Sequence, residues 1–284
     1  MAQVKLLNVN IHNVAMSDLL NNLRDGGLVV TPNVDHLMKL QRDRDFYGVY
    51  QEAEYRVCDS RILMYVSHFL GTPIKEKISG SDLFPAFYTY YKNDESIKIF
   101  ILGAAAGIAE IARKNINSKV GREIIVDTYS PPFGFEKDDK ECQKILDIIN
   151  CSNATVLAIG VGAPKQEMWI AKHRKYLPKI KIFLAIGATI NFEAGNIKRC
   201  PKWMSEVGLE WLYRLFSEPK RLWKRYILDA VPFLYLIFKQ RFQLYRNPWS
   251  PMKSNQVTPF PLKDYRKKTA ETQRTQRTEI KRES

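Results

Sequence analysis

The stretch Ala154-Thr-Val-Leu-Ala-Ile-Gly-Val-Gly-Ala-Pro-Lys-Gln-Glu-Met-Trp169 carries the pattern that decides the fold. It begins with a short apolar run that ends at Ile159 and includes β-branched residues, which predicts a buried strand. Gly160 and Gly162 then allow a tight turn, and Pro164 suits the first turn of a helix. Backbone N–H groups and the helix dipole at such a turn both attract negative charge. We therefore predict an anion site at this turn.

The turn alone is a weak indication, because Gly160-x-Gly162-x-x-Lys165 lacks the third glycine of the dinucleotide-binding fingerprint. An ordinary turn between a strand and a helix stays open as the alternative. A second stretch, Phe183–Gly195, favours the anion site, since another apolar strand ends there in glycine and continues to Asn191. In a parallel sheet the two strand ends open on the same edge, where ligands bind. We expect Gln166 and Glu167, in the first helical turn, to lie beside that ligand.

The predicted elements alternate between strand and helix almost throughout residues 1–197. This order predicts an α/β fold of Rossmann-like type, with a mainly parallel sheet and helices on both faces. After Gly195 the sequence becomes basic and aromatic, and beyond residue 246 it is polar and rich in Pro, Thr, Lys and Arg. We therefore predict an α/β core over 1–197, a basic and aromatic helical appendage over 198–246, and a disordered basic tail over 247–284.

Basic charge is concentrated at the C-terminal end of the chain. The whole chain has 44 Lys and Arg against 30 Asp and Glu, and residues 198–284 hold 20 and 8 of these. Such an end is typical of contact with an anionic membrane surface or with nucleic acid. The apolar run Ile227–Phe238 is shorter than the ~20 residues of a membrane span. It fits better a helix that lies in the membrane interface or packs on a partner.

Several features predict a cytoplasmic protein, peripheral on the inner face of the plasma membrane. The stretch that begins at Met1 lacks the apolar core of a signal peptide. The four cysteines are widely spaced, which favours reduced thiols over a zinc site.

Asp43-Arg44-Asp45 has the spacing of a metal-binding motif in nucleotide-sugar enzymes, but it falls in a charged run on a predicted helix. A solvated face explains that run better, so we expect no essential metal and no other cofactor.

Polar residues follow two strands in the N-terminal half. Thr31 and Asn33 come after one predicted strand, and Asp59 comes after another. Strand ends are where α/β enzymes place catalytic groups, so Asp59 is the best candidate for a general base. The alternative is that Asp59 caps a helix, while Asn33 can cap the helix that follows it.

Arginines recur at helical spacing among the aromatic residues of the appendage, at Arg214, Arg221 and Arg225. Their guanidinium groups suit charge-assisted bonds to a diphosphate. A membrane-facing basic surface is the alternative, and both roles could hold for different residues.

Taken together, these motifs resemble the WecG/TagA/CpsF family of bacterial glycosyltransferases over about residues 4–245. The resemblance rests on five blocks, of which the last is the most specific: Thr31-Pro-Asn-Val-Asp35; Asp59-Ser60 with Gly80-Ser-Asp82; Gly160–Glu167; Gly187-Ala-Thr189; and Gly208-Leu-Glu-Trp-Leu-Tyr-Arg-Leu-Phe-Ser-Glu-Pro-Lys-Arg221.

The resemblance implies inverting, metal-independent transfer of a sugar from a UDP-sugar to an acceptor, often an undecaprenyl-diphosphate-linked saccharide. The sugar in such enzymes is N-acetylmannosamine, its uronic acid, or glucose. The resemblance also implies a Rossmann-like core with a C-terminal appendage that docks on the membrane and closes over the site. It assigns Asp59 as the base with Thr31 beside it, and Gln166 near the nucleotide. Arg214 and Arg221 match appendage arginines that reach the diphosphate.

Three positions depart from the family pattern. Lys77 stands where an arginine is usual, which weakens bidentate phosphate binding. Asn191 stands where aspartate is common, and Phe135 replaces a frequent tyrosine after Gly134. We expect these residues at the donor site, where they could mark a different donor or acceptor, or a less active enzyme.

Our hypothesis is a glycosyltransferase that binds a UDP-sugar near Gly160, Gly162 and Gln166, together with Asn33, Gly134, Phe135 and Asn191. A glucosyltransferase of exopolysaccharide assembly is a close alternative, because the preference for one donor sugar is set by details of the donor pocket. A nucleic-acid-binding protein is the alternative from another class; it explains the basic C-terminus but neither the apolar run nor the strand-end residues, and no nucleic-acid motif is recognisable. The sequence is compatible with a monomer or a homodimer.

Overall fold

The computed structural model describes residues 1–201, 203–204, 207–217 and 219–250, and for 211, 214, 217 and 219–228 it describes the backbone alone. Residues Met1–Pro248 form one compact unit. The predicted disordered tail lies outside the described residues from position 251 onward. The predicted boundary between core and appendage at 197/198 stays a prediction.

A six-stranded parallel sheet forms the centre of the protein, in the order β4-β3-β8-β7-β5-β6. A separate antiparallel hairpin, β1-β2, precedes it. The strands of the described residues are β1 (Gln3–Leu6), β2 (Val9–His12), β3 (Gly27–Val30), β4 (Tyr55–Arg56), β5 (Ile99–Gly103), β6 (Ile125–Tyr129), β7 (Val156–Gly160) and β8 (Ile182–Ala185).

Helices cover both faces of this sheet, which confirms the predicted α/β class. They are α1 (Met16–Asn22), α2 (Val34–Lys39), α3 (Arg44–Glu52), α4 (Arg61–Phe69), α5 (Gly80–Tyr90), α6 (Ile108–Val120), α7 (Asp139–Cys151), α8 (Lys165–His173), α9 (Thr189–Glu193), α10 (Glu210–Ser217) and α11 (Pro219–Arg241). Residues of α2, α3, α4, α7, α8 and α11 pack in the core on one face. Residues of α1, α5, α6 and α9 pack in the core on the other.

The strand β7 shows why this sequence builds a two-sided core. All five of its residues are buried. Leu157 and Ile159 belong to the core on the α8 face, whereas Val156 and Ala158 belong to the core on the α5 face. Side chains alternate between faces along a strand, so a continuous apolar run suits a central strand covered on both sides. The strand predicted from the opening stretch is therefore confirmed.

Three glycines at the carboxyl edge allow neighbouring strand ends to come close. A Cβ on Gly103 would lie 2.7 Å from the carbonyl oxygen of Gly160, and a Cβ on Gly160 would lie 2.5 Å from that of Gly187. The chain leaves β5 toward β6 on one side and leaves β7 toward β8 on the other. Such a reversal opens a crevice between the two strand ends, where α/β proteins bind ligands.

The helix α11 packs against the core through one side and exposes the other. Phe233 and Ile237 are buried in the core of the α8 face. The side chain of Gln240 accepts a bond from the Leu7 backbone nitrogen at 2.7 Å and donates to the Lys5 carbonyl at 2.7 Å. Among the described residues, no helix is long and apolar enough to cross a membrane.

Candidate active site

Asp59 lies where the ends of β3 and β4 meet. Its backbone nitrogen donates to the Pro32 carbonyl at 3.0 Å, and its carboxylate accepts from the side-chain amide of Asn33 at 3.4 Å. Thr31, at the end of β3, is 6% exposed, whereas Asp59 is partly buried. The structure thus brings together the three strand-end residues that the sequence singled out.

The geometry does not support the interpretation of Asp59 as a helix cap. The N-cap residue of α4 is Ser60, and the Ser60 side chain makes no capping hydrogen bond. Asn33 does cap α2 as predicted, since its side-chain oxygen accepts from the His36 nitrogen at 3.1 Å. Asp43 caps α3 by accepting from the Phe46 nitrogen at 2.9 Å, which gives the Asp43-Arg44-Asp45 run a local structural role.

The Tyr50 side chain is fully buried, and three carboxyl groups act on its hydroxyl. The Tyr50 hydroxyl and the Nδ1 atom of His36 are 2.6 Å apart. Burial raises the pKa of Tyr50 well above its ordinary value, and the negative charges of Glu167, Asp59 and Asp35 raise it further. Tyr50 therefore stays a neutral phenol, and α2, α3, α8 and the end of β4 converge around it.

Gln166 joins the two glycine turns that the sequence predicted to share an edge. It is 3% exposed, and its side-chain oxygen accepts from the Gly162 nitrogen and from the Gly187 nitrogen, each at 3.2 Å. Both glycines have positive φ values, 87° for Gly162 and 55° for Gly187, which favour glycine. The sequence placed Gln166 beside a ligand, and the structure adds that its oxygen bonds the protein backbone.

Glu167 fixes which way the Gln166 amide points. The Gln166 side-chain nitrogen donates to Glu167 Oε1 at 2.9 Å, so the amide oxygen must face the glycine nitrogens. Glu167 is 0% exposed, and its Oε2 atom has no hydrogen-bond partner among the described residues. Burial raises the pKa of Glu167 from 4.5 to about 7, although the Gln166 bond and the positive charge of Lys39 act in the opposite direction. The sequence placed Glu167 beside the ligand, but it predicted neither its burial nor its bond to Gln166.

Lys39 connects α2 to the glycine turn before α8. Its ammonium group donates to Asp35 Oδ2 at 2.7 Å and to the Ala163 carbonyl at 3.4 Å. The element that begins with Thr31 and Asn33 is therefore tied to the turn that contains Gly160 and Gly162. The helix α2 thus contacts Asp59 through its N-cap Asn33 and the glycine turn through Lys39.

Lys77 and Asp82 stand at the start of α5, next to the Asp59 segment. The Ile78 nitrogen donates to the Cys58 carbonyl at 2.7 Å, which sets this segment alongside Asp59. Lys77 donates to Asp82 at 2.9 Å, and Arg199 forms a second ion pair with the same carboxylate. Arg199 was missed at the level of sequence, although Asp82 belongs to the quoted Gly80-Ser-Asp82 block.

The structure places the other predicted substrate-binding residues on elements that do not contact Asp59 through any hydrogen bond described above. Gly134 has a φ of 85°, and the Phe135 that follows it is 4% exposed and packs 6.4 Å from the Trp169 ring. Asn191 lies on α9, where its side-chain oxygen accepts from Asn196 at 3.3 Å. The backbones of Arg214 and Arg221 belong to α10 and α11, and their side chains lie outside the described residues.

Within the described part of the chain, no group of three or more His, Cys, Asp or Glu residues could hold a metal ion.

Comparison with known proteins places the chain in a family. The model of the glycosyl transferase WecG/TagA/CpsF family matches residues 4–247. An N-acetylglucosaminyldiphosphoundecaprenol N-acetyl-β-D-mannosaminyltransferase of Bacillus spizizenii is 31% identical over 70% of this chain and 74% of its own length. Proteins of the same name match from Bacillus subtilis, 28% identical over 70% and 75% of the two chains, and from Staphylococcus aureus, 24% identical over 84% and 94%. The chain therefore belongs to the WecG/TagA/CpsF family of glycosyl transferases.

Proposed function

We propose that this protein is an inverting glycosyltransferase that moves a sugar from a UDP-sugar to a polyprenyl-diphosphate-linked saccharide. The observation that carries the proposal is the meeting of the Asp59 carboxylate and Asn33 at the carboxyl edge, tied through Lys39 to the glycine turn of β7. The names of the relatives support a lipid-linked N-acetylglucosamine diphosphate as the acceptor and N-acetylmannosamine as the transferred sugar. Its uronic acid and glucose are the other donor sugars that we consider.

In this proposal Asp59 is the general base. A hydroxyl oxygen of the acceptor attacks the anomeric carbon from the side opposite the diphosphate, while its proton passes to the Asp59 carboxylate. The bond between the anomeric carbon and the diphosphate oxygen breaks, and its electron pair leaves with UDP. Asn33 holds the carboxylate through its amide at 3.4 Å, which keeps the accepting oxygen oriented.

Negative charge that develops on the departing UDP needs a complementary environment. The N-terminus of α8, directly after the glycine turn, supplies a positive helix dipole at this edge. Lys77 supplies a charge beside the Asp59 segment, and we propose that Arg214 and Arg221 reach the same diphosphate from the appendage. Such preorganised charges are commonly the largest contribution to catalysis of this type. No metal ion and no other cofactor is needed in the proposed reaction.

The first test of the function is UDP release by the purified full chain with a panel of UDP-sugars. The acceptor is a short-chain polyprenyl-diphosphate-linked N-acetylglucosamine, and EDTA is present. We expect UDP to be released from one donor, UDP-N-acetylmannosamine. Release from UDP-glucose should not exceed the rate measured without acceptor. Release with UDP-glucose alone would favour the exopolysaccharide glucosyltransferase. Failure to bind UDP in calorimetry, combined with salt-dependent retention on DNA or RNA, would favour the nucleic-acid alternative.

We also propose that α11 docks the protein on the anionic inner face of the plasma membrane. The exposed side of this helix carries Val231, Leu234, Tyr235 and Phe238, which are 71%, 50%, 59% and 53% exposed. Lys239 follows in its last turn, and a basic residue near an anionic surface contributes ~1 kcal/mol. An apolar stripe beside basic residues is typical of an interfacial helix.

Replacing both Val231 and Leu234 by glutamate should weaken binding to anionic vesicles by at least about tenfold, since burying each side chain is worth ~1.5 kcal/mol or more. Co-sedimentation with phosphatidylglycerol vesicles measures the effect. The charge-matched control is Ile111→Glu with Tyr176→Glu, two residues that are 45% and 53% exposed on other elements. Equal losses in both double variants would mean that general charge, and not this face of α11, governs binding.

A further inference from the structure

The Asp82 carboxylate accepts hydrogen bonds from three side chains in two parts of the chain, the 77–79 segment and Arg199. It accepts from the Ser79 hydroxyl at 2.6 Å, from the Lys77 ammonium at 2.9 Å and from the Arg199 guanidinium. Burial alone would raise the pKa of Asp82, but these hydrogen bonds lower it to about 2. Asp82 is therefore ionised at neutral pH, and its single negative charge faces two positive ones. The group of Lys77, Asp82 and Arg199 keeps one net positive charge.

Arg199 uses only part of its donor capacity in these contacts. Its Nη2 atom donates to Asp82 and, at 3.2 Å, to the Ser81 hydroxyl. A guanidinium group has five N–H donors, so three of them, on Nε and Nη1, have no partner among the described residues. The side chain is 47% exposed, which leaves these donors accessible to a ligand.

The position of this group links it to the reacting centre. Gly80, next to Ser81, lies so close to the end of β8 that an added Cβ would be 3.0 Å from the Ile186 carbonyl oxygen. The next residue after Ile186 is Gly187, whose nitrogen Gln166 holds. On its other side, Lys77 precedes Ile78, whose backbone nitrogen donates to the Cys58 carbonyl at 2.7 Å, directly before Asp59. The segment that carries Lys77 therefore contacts both the residue before Asp59 and the residue before Gly187, and Asp82 ties Arg199 to it.

We propose that Arg199 is a diphosphate-binding residue and that it acts together with Lys77, with Asp82 holding the two cations in place. The inference rests on the proposed function, because it assigns the ligand of that site. A lysine ammonium is a point charge, whereas the guanidinium fork can bond two phosphate oxygens at once. Asp82 neutralises one of the two charges and leaves the accessible N–H donors of Arg199 for the phosphates. The diphosphate can belong to the nucleotide donor or to the lipid-linked acceptor.

Calorimetry on the full chain separates the two sources. One arm titrates UDP and the other a water-soluble prenyl-diphosphate-linked N-acetylglucosamine, each against wild type, Arg199→Ala and Lys198→Ala. Lys198 is the matched control because it is the neighbouring exposed cation. We expect Arg199→Ala to raise the Kd about tenfold in one arm, in keeping with the loss of a charge-assisted bond, and Lys198→Ala to leave it within about twofold.

A rescue variant distinguishes a phosphate ligand from a structural strut. If Arg199 supplies the guanidinium that the diphosphate needs, Lys77→Arg in the Arg199→Ala background should restore most of the lost affinity. If Arg199 only stabilises the packing of the 195–201 segment on α5, Arg199→Ala should lower the melting temperature. Lys77→Arg would then not restore binding. Unchanged Kd values in both arms for Arg199→Ala, with wild type binding UDP, would overturn the proposal. Absence of binding to wild type in both arms would instead contradict the proposed function.

Discussion

Replacing Asp59 by asparagine should lower the rate of sugar transfer about 10²–10⁴-fold, because the amide cannot take the acceptor proton. Asparagine keeps the size of the side chain and an oxygen that can still accept from Asn33, so the site should keep its shape. The Kd for UDP should therefore change little. A loss that falls on turnover and spares donor binding is what removal of a general base predicts.

UDP release and UDP calorimetry together check this expectation. Asp18→Asn, at an exposed position on α1, removes the same charge far from the carboxyl edge of the sheet and serves as the control. Wild-type turnover in Asp59→Asn would mean that another group takes the proton. A rise in the UDP Kd equal to the loss in turnover would assign Asp59 to binding.

Local pattern was enough to predict the framework of this site. The apolar run before Gly160 is a strand because both faces of the sheet need apolar side chains at that point, and alternation along β7 supplies them. The strand-end polar residues Thr31, Asn33 and Asp59 meet because parallel strands end on the same edge. These predictions depend on neighbours within a few positions in the sequence or on the geometry of every parallel sheet.

The tertiary contacts could not be predicted in the same way. Gln166 bonds Gly187, which is 21 positions away, and Arg199 pairs with Asp82, which is 117 positions away. No periodicity marks such pairs, because their approach depends on how loops of different strands pack. The burial of Glu167 could not be predicted either. A favourable interaction with the helix dipole usually accounts for a glutamate in the first turn of a helix, so its presence there does not indicate burial. The structure surrounds it with α2, α3 and the glycine turn instead.

Glu167→Gln should make the protein's stability less dependent on pH between about 4.5 and 7. Burial raises the pKa of Glu167 from 4.5 to about 7, so the folded protein holds a proton on this carboxyl that the unfolded chain has already released. In that window the folded state binds more protons than the unfolded state, and the free energy of unfolding falls as pH rises. Above pH 7 both states are ionised, and the whole cost of burying the charge is present. Below pH 4.5 both states are protonated, and the cost vanishes.

The shift corresponds to a cost on the order of 3 kcal/mol at pH 8, which the neutral glutamine does not incur. Urea unfolding at pH 5, 6, 7 and 8 should show the advantage of Glu167→Gln over wild type growing with pH and levelling off above pH 7. Glu95→Gln, which removes the same charge from an exposed position, should give a difference that hardly changes over this range. Because glutamine can still accept from Gln166, the glycine turns stay joined, and UDP binding in Glu167→Gln should survive at every pH. An advantage that is constant from pH 5 to pH 8 would mean that Glu167 reaches solvent in the folded protein. A collapse of UDP binding would mean that this carboxyl touches the nucleotide and does more than orient Gln166.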